Sequence, residues 1–383
     1  MSAATVAPTG TGALPTYEPA LDGLRGICIV GVVVYHACAA NGSPGWMRGG
    51  FIGVSVFFTL SGFLITSLLL RERARTGEVD LRNFWSRRIR RLWPASFVVT
   101  LAVLLLSAWG PLSAHSSDVI AATWSVTNWH VIAGGDELLL RTIVGPLGPT
   151  WSLAVEEQFY IALALVAALV AGRRHALRML LAVATTGIVV PIVLANVATD
   201  WRPSLEFNTV LRLPELFVGV VLAIYYSSDG SWRPTGAIAD VMSAFGLATI
   251  IGLFALADYT PPWLLRGGYT LVALVTAITI VGLLHGSRVR RVLAAGPLRG
   301  LGVISYPLYL LHWPIITLTT HDHNDFAPQS RIAISLLTAL VVASVLHVAV
   351  ERPVRRLNTA PIPTIFSGLL AAAALSVLAL AVL

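Results

Sequence analysis

Apolar runs as long as a lipid bilayer requires recur along almost the whole chain, and this pattern restricts the fold more than any other feature. The runs cover residues 23–40, 51–70, 95–112, 151–171, 177–197, 209–226, 236–257, 268–285, 301–319, 331–350 and 362–383. A helix that crosses the hydrocarbon core needs roughly 17–25 mostly apolar residues. A further segment, 120–133, is aromatic and only half apolar, and is interpreted as interfacial or re-entrant. The sequence therefore predicts an all-α, polytopic integral membrane protein with about ten to eleven transmembrane helices.

The composition excludes a water-soluble domain and a nucleic-acid-binding protein. Only 12% of the residues are charged and 56% are hydrophobic, whereas a soluble domain carries about 25% charged residues. The formal net charge of +7 comes from 26 basic residues, all of which are arginine. Most of them cluster between apolar runs rather than along one face, so we expect a bilayer and no nucleic acid as partner.

The arginines predict the orientation of the chain. Nineteen of the 26 fall on the same set of alternate connections. They are Arg71, Arg73, Arg75, Arg82, Arg87, Arg88, Arg90, Arg91, Arg173, Arg174, Arg178, Arg233, Arg288, Arg290, Arg291, Arg299, Arg352, Arg355 and Arg356. The other connections hold Asp118, Asp136, Glu137, Asp200, Asp258, Asp322 and Asp325. Because cytoplasmic connections are enriched in arginine, we expect a plasma (inner) membrane protein with a cytoplasmic N-terminus.

Several ionisable residues lie inside the predicted spans, where charge is costly and commonly functional. Arg25 and His36 are eleven positions apart, close to three turns, and so share a helix face. Glu156 and Glu157 lie one to two turns into the fourth span, and His312 lies in the ninth. His36, His312 and the two glutamates are predicted at a similar depth near the outer surface, where acid–base chemistry is possible. Arg25 lies at the cytoplasmic end. The alternatives are packing histidines and a solvated helix start.

Three other groups have a structural and a functional interpretation. Arg212 and Glu215 are three residues apart, which predicts an ion pair within the membrane. Arg88 and Arg91 belong to a predicted cytoplasmic loop, Phe84–Pro94, that suits either a polyphosphate ligand or anionic lipid. His321-Asp322-His323 with Asp325 is interpreted as a solvated loop, and we expect no metal site.

The order of these motifs resembles the membrane-bound acyltransferase-3 family, which includes bacterial O-antigen, peptidoglycan and macrolide O-acyltransferases. The matching segments are Leu21–Gly26 with His36, Phe57–Leu64, Arg88 with Arg91, Trp151–Leu153 with Glu156–Tyr160, Arg212–Leu216, Ser305–His312 and Glu351–Pro353. Each motif alone is weak, but seven in family order over nearly the whole chain are specific.

The first twenty residues are polar and rich in Thr, Pro, Gly and Ala, so a disordered cytoplasmic tail is expected at 1–20. The resemblance implies an acyltransferase-3-like membrane domain at 21–357, and the last apolar run predicts an additional transmembrane helix at 358–383. No fused extracytoplasmic esterase-like domain is expected. The implied reaction moves an acyl group from cytoplasmic acyl-CoA, with acetyl-CoA as the expected donor. The acceptor is a hydroxyl of a carbohydrate, glycolipid or glycosylated small molecule.

Roles for individual residues follow from this resemblance. Arg25, Arg88 and Arg91 are expected to bind the phosphates of CoA, and His36 to act as general base with Glu156 or Glu157 as its partner. Ser61 offers an alternative route through an acyl-enzyme, as does His36 itself. Ser152, Tyr309, His312, Arg212 and Glu215 are further candidates. A secondary transporter or flippase for a sugar-containing substrate is the competing function.

Overall fold

A computed structural model describes residues 17–43, 47–197, 202–228, 232–259, 261–320, 325–357 and 359–383, and within these ranges the fold is all-helical. The α-helices are α1 Pro19–Ala40, α2 Gly53–Thr76, α3 Leu81–Ala108, α4 Ser116–Thr123, α5 Thr127–Val144, α6 Thr150–Val170, α7 Ala176–Val197, α8 Thr209–Ser227, α9 Gly236–Leu256, α10 Pro261–Trp263, α11 Tyr269–His285, α12 Arg288–Leu293, α13 Gly296–Val303, α14 Ser305–Leu318, α15 Pro328–Leu346, α16 Arg352–Arg356 and α17 Pro361–Val382. Tighter or wider helical turns occur at Gly50–Ile52, Pro203–Phe207, Leu264–Gly268 and His347–Glu351.

The helices confirm the predicted fold class. In the described part of the chain, ten helices are long and apolar enough to cross a membrane. The pair α13 and α14 would form an eleventh span, and the two helices meet at an angle of 69°. Many large apolar side chains on the outward faces are exposed, for example Leu169, Val241 and Leu380. This is the arrangement expected when lipid, rather than water, surrounds a helical bundle.

The arginine-rich segment before Pro94 is helical, so the prediction of a loop at Phe84–Pro94 is wrong. Asp80 caps the first turn of α3, because its carboxylate accepts a hydrogen bond from the Asn83 amide at 3.1 Å. Residues 81–93 contain no glycine or proline, so nothing in them interrupts the helix before Pro94. Arg88 and Arg91 therefore lie on a rigid element that enters the bundle.

The half-apolar segment predicted at 120–133 forms parts of α4 and α5. The two helices join at Ser125, whose φ of 54° places it in the left-handed region. Gln158 of α6 holds this join, because its amide nitrogen donates to the Ser125 carbonyl and the Asn128 side chain, both at 2.9 Å. The segment thus connects α3 and α6 and lies against the start of α6.

Some predicted features lie outside the described residues. They are residues 1–16 of the expected tail, Asp200, His321-Asp322-His323, and the side chains of Asp136 and Glu137.

Close helix crossings position the functional residues. A Cβ atom added to Gly62 of α2 would collide with the Leu216 carbonyl of α8, and one added to Gly219 would collide with the Thr59 carbonyl. Small residues at such crossings let two membrane helices approach until their backbones touch. The crossing fixes the position of Ser61 on α2 relative to α8 and to Arg212, which is buried in α8.

Candidate active site

His36 and His312 are brought together from opposite ends of the chain by α1 and α14. Nδ1 of His36 lies 3.0 Å from Nε2 of His312, within hydrogen-bond distance. The ring centroids are 5.1 Å apart and the planes are inclined by 25°. Nδ1 of His312 lies 2.6 Å from the backbone carbonyl oxygen of Tyr309, and His312 is fully buried. The ring of Trp313 packs edge-on against His36 at 5.2 Å.

Ser152 and Tyr309 form a second pair next to the histidines. The Ser152 hydroxyl and the Tyr309 phenol are 2.7 Å apart, and both lie within 3.2 Å of the Pro149 carbonyl oxygen. The centroid of the Tyr309 ring is 5.3 Å from that of His312. The start of α6 is therefore joined to the middle of α14 beside the histidine pair.

Glu156 and Glu157 belong to a different cluster from the histidines. Glu156 accepts hydrogen bonds from the Tyr160 phenol at 2.7 Å and the Ser61 hydroxyl at 3.1 Å. Glu157 accepts one from Arg88 at 3.1 Å, and the Arg88 guanidinium stacks 3.4 Å over the Tyr160 ring. Within the described ranges neither carboxylate contacts His36. His312 occupies the place beside His36 where a carboxylate was expected.

A cavity of about 810 Å³ connects the Ser152–Tyr309 pair and the cluster around Glu156 to an arginine-rich mouth. The arginines that line it are Arg25, Arg71, Arg88, Arg91, Arg352, Arg355 and Arg356. Ser61, Glu156 and Tyr160 line its middle, and Ser152 and Tyr309 line it further along α6 and α14. His36 and His312 do not line the cavity, but Tyr309, which does, lies beside His312.

Four of the arginines at the cavity are well exposed and suited to bind an anion. Arg91, Arg352, Arg355 and Arg356 are exposed, and no carboxylate of the described residues forms an ion pair with them. Arg88, in contrast, is engaged with Glu157, and about a tenth of its side chain is exposed. The mouth of the cavity therefore carries a high density of uncompensated positive charge.

The sequence profile of the acyltransferase domain, known as acyltransferase-3, matches residues 18–381. The chain belongs to the acyltransferase-3 family. The O-acetyltransferase OatA of Staphylococcus aureus strain NCTC 8325 is 33% identical over 360 residues, which cover 89% of this chain. OatA of strain COL gives the same values. The chain spans 58% of the length of these relatives. No solved structure matches the chain.

The acyltransferase-3 chain also places at the cavity His347, which the sequence had not singled out, and Glu351, which belongs to the last matching motif but had been given no role. His347 and Glu351 both line it, and Nδ1 of His347 lies 2.6 Å from a carboxylate oxygen of Glu351. They are the first and last residues of the wide helical turn between α15 and α16, and such turns are common at functional sites. The available signal was their spacing of four residues, directly before the arginines of α16.

The ion pair predicted between Arg212 and Glu215 is present, and it belongs to a larger buried cluster. Arg212 donates two hydrogen bonds to the Glu215 carboxylate, at 2.7 and 2.9 Å. Glu206 lies 3.6 Å from the same guanidinium and accepts a hydrogen bond from the Tyr269 phenol at 2.5 Å. Burial raises the pKa of the Glu206 carboxyl, and Arg212 opposes that shift. The cluster does not line the cavity and joins α8 to α11.

Proposed function

We propose that this protein transfers an acyl group from acyl-CoA to a hydroxyl group of a carbohydrate-containing acceptor. The observation that carries the proposal is the cavity, which leads from exposed arginines to Tyr309, beside the His312 partner of His36. Membership of the acyltransferase-3 family supports acyl transfer as the chemistry. The name O-acetyltransferase, borne by the relatives, supports acetyl-CoA as the donor and oxygen as the receiving atom.

Acyl-CoA suits both the charge and the shape of the cavity. The donor has a polyanionic nucleotide at one end and a long, narrow arm that bears the thioester at the other. Exposed guanidinium groups bind phosphate through paired, charge-assisted hydrogen bonds. The phosphates would occupy the mouth near Arg91, Arg352 and Arg355, and the arm would extend past Ser61 and Glu156 towards Ser152. This placement brings the thioester to the Ser152–Tyr309 pair.

His36 is the proposed general base. It would remove the proton from the acceptor hydroxyl as the oxygen attacks the acyl carbon, and a positioned base commonly contributes about 10² to 10⁴ in rate. Because His36 does not line the cavity, the proposed transfer requires a movement of the side chains beside His312, of which Tyr309 is one.

The distribution of arginine supports a cytoplasmic donor site. The arginine-rich mouth lies at the end of the bundle where the N-terminus of α1 begins, and acyl-CoA is a cytoplasmic metabolite. The positive-inside pattern places that end in the cytoplasm of a plasma membrane protein. The proposed transfer therefore begins on the cytoplasmic side and ends near the outer part of α1.

The direct test uses purified protein in lipid nanodiscs with acetyl-CoA labelled in the acetyl group and glycan fragments from the cell envelope as acceptors. We expect thiol release together with label on the acceptor. His36→Ala should still bind acetyl-CoA but transfer about 10² to 10⁴ times more slowly. Uptake of an intact sugar substrate into proteoliposomes, without cleavage of acetyl-CoA, would identify a transporter instead.

A further inference from the structure

We infer that His312 is a positioning residue that fixes the tautomer of His36, so that Nε2 of His36 is the nitrogen that takes the proton of the acceptor. The inference rests on the proposed function, because it concerns how His36 acts as a base. It starts from one row of hydrogen-bonding atoms that joins His36, His312 and the backbone of Tyr309.

The carbonyl group at the end of this row determines where the hydrogens lie. A carbonyl oxygen only accepts hydrogen bonds, so Nδ1 of His312, at 2.6 Å from the Tyr309 oxygen, must carry a hydrogen. A neutral imidazole has one N–H group, so Nε2 of His312 has a lone pair and accepts. Nδ1 of His36, at 3.0 Å from it, therefore donates. Nε2 of His36 is left with its lone pair.

This lone pair is available for catalysis. No hydrogen bond to Nε2 of His36 is present among the described residues, and His36 is only partly buried. His312 thus plays the part that a carboxylate plays in many acid–base sites: it holds the imidazole in one tautomer and one orientation. Glu156 and Glu157 cannot take this part as they stand, because they are bonded to Ser61, Tyr160 and Arg88.

The same row of atoms stabilises the charge that develops during transfer. The acceptor proton moves to Nε2 of His36, the acceptor oxygen bonds to the acyl carbon, and the carbon–sulfur bond breaks. The imidazolium then donates its Nδ1 hydrogen more strongly to His312, which passes polarisation on to the Tyr309 carbonyl. The proton on Nε2 finally goes to the thiolate sulfur and leaves as the thiol of CoA.

The test compares His312→Gln with His312→Leu. The glutamine amide oxygen reaches the position of Nε2 and still accepts from His36, whereas leucine fills similar volume without an acceptor. We expect His312→Leu to lower kcat by at least about 10-fold with little change in KM for acetyl-CoA, and His312→Gln to recover most of that loss. Equal losses in both variants would overturn the inference.

A double-mutant cycle separates positioning from packing. If His312 acts through His36, His312→Leu should have almost no further effect on turnover in a His36→Ala background. A residue that only supports the fold would lower turnover by the same factor in both backgrounds, and that result would overturn the inference. If wild-type protein transfers no acyl group, the proposed function fails instead.

A spectroscopic measurement does not depend on activity. In protein labelled with ¹⁵N at histidine, the ring nitrogens of His36 should report a protonated Nδ1 and an unprotonated Nε2 in the resting state. The His36→Ala spectrum assigns the signals. A protonated Nε2 on His36 would contradict the inference, whatever the outcome of the transfer assay.

Discussion

Arg88 and Arg91 lie three residues apart on α3, yet their charges are used differently. Arg88 is paired with Glu157 at 3.1 Å and stacks on Tyr160. Arg91 is exposed at the mouth of the cavity and has no carboxylate partner among the described residues. The sequence predicts phosphate binding for both arginines, because their difference arises only from the position of Glu157 on another helix.

This difference predicts separate effects for the two residues. Arg91→Gln should weaken acetyl-CoA binding about 10-fold, since a hydrogen bond to a charged group contributes roughly 1.5–3 kcal/mol and Arg91 is exposed. Isothermal titration in nanodiscs would measure the change. Arg87→Gln is the matched control, because Arg87 is an exposed arginine of the same helix that does not line the cavity. Equal weakening by both variants would assign the effect to general surface charge.

Arg88→Gln should instead lower stability. The change leaves the Glu157 carboxylate without its cation, and breaking a buried ion pair in this way costs about 3–5 kcal/mol. Because about a tenth of each side chain remains exposed, we expect a cost at the lower end of that range. Thermal denaturation in detergent measures the loss. An unchanged melting temperature with weakened acetyl-CoA binding would instead show that Arg88 binds a phosphate of CoA.

Ser61→Ala distinguishes the two chemical routes. The Ser61 hydroxyl donates to Glu156 at 3.1 Å, and Glu156 keeps its stronger bond to Tyr160 when Ser61 is removed. We therefore expect transfer to stay within about 10-fold of wild type, since only one neutral donor to a carboxylate is lost. Intact-protein mass spectrometry after mixing with acetyl-CoA is the companion measurement. Loss of transfer comparable to that of His36→Ala, with an acetyl adduct absent only in Ser61→Ala, would establish an acyl-serine.

At the scale of elements, the sequence identified most spans but not the details that build the site. His36 and His312 could be placed at one depth because each lies a countable number of residues from the start of an apolar run. Glu156 and Glu157 were placed at the same depth by that counting, yet they point into the arginine-lined cavity. Helix counting gives the height of a residue and its face relative to other residues of the same helix. It does not tell which neighbour that face meets, and for Glu156 and Glu157 this depends on how α6 is rotated against α2 and α3.

Two further elements show why local signals were insufficient. The density of arginine in 82–91 suggested a loop, although the segment has no residue that breaks a helix and Asp80 caps its start. The bend of 69° between α13 and α14 falls at Ile304. Pro307, in the first turn of α14, marks the break, because it has no N–H for the Val303 carbonyl and its ring clashes with that carbonyl. The sequence does not give the angle, which also depends on packing: α13 lies against α1, where a Cβ atom on Gly302 would collide with the Asp22 carbonyl.

The α2–α8 crossing gives a test of how closely the helices must approach. Gly62→Ala should lower the melting temperature, because its Cβ would meet the Leu216 carbonyl and overpacking of this kind costs about 1–3 kcal/mol. Gly252→Ala is the matched control in α9, where a new Cβ meets nothing within 4 Å. The control should be neutral or slightly stabilising, since alanine favours helix over glycine. Equal effects in both variants would show that the crossing tolerates a wider separation.

At the scale of the whole molecule, the proposed reaction has a direction. The arginine-lined mouth and the histidine pair lie at different heights along α14, where Tyr306, Tyr309 and His312 follow one another at intervals of three residues. Tyr306 donates to the Leu92 carbonyl near the arginines, and His312 contacts His36. An acyl group that moves along this helix face therefore moves away from the arginine-rich end and towards the opposite end of the bundle.

The orientation of the bundle decides which compartment supplies the donor, and cysteine labelling tests it. In a variant with Cys28→Ala and Cys38→Ala, single cysteines are introduced as Glu78→Cys, between α2 and α3, or as Ser113→Cys, between α3 and α4. Both positions are exposed and lie at opposite ends of α3. Because arginine-rich connections face the cytoplasm, a membrane-impermeant maleimide added to intact cells should label Ser113→Cys only. Glu78→Cys should react after lysis, which also serves as its control for accessibility. The reverse pattern would place the arginine-lined mouth outside the cell, where acyl-CoA is absent, and would contradict both the orientation and the proposed donor.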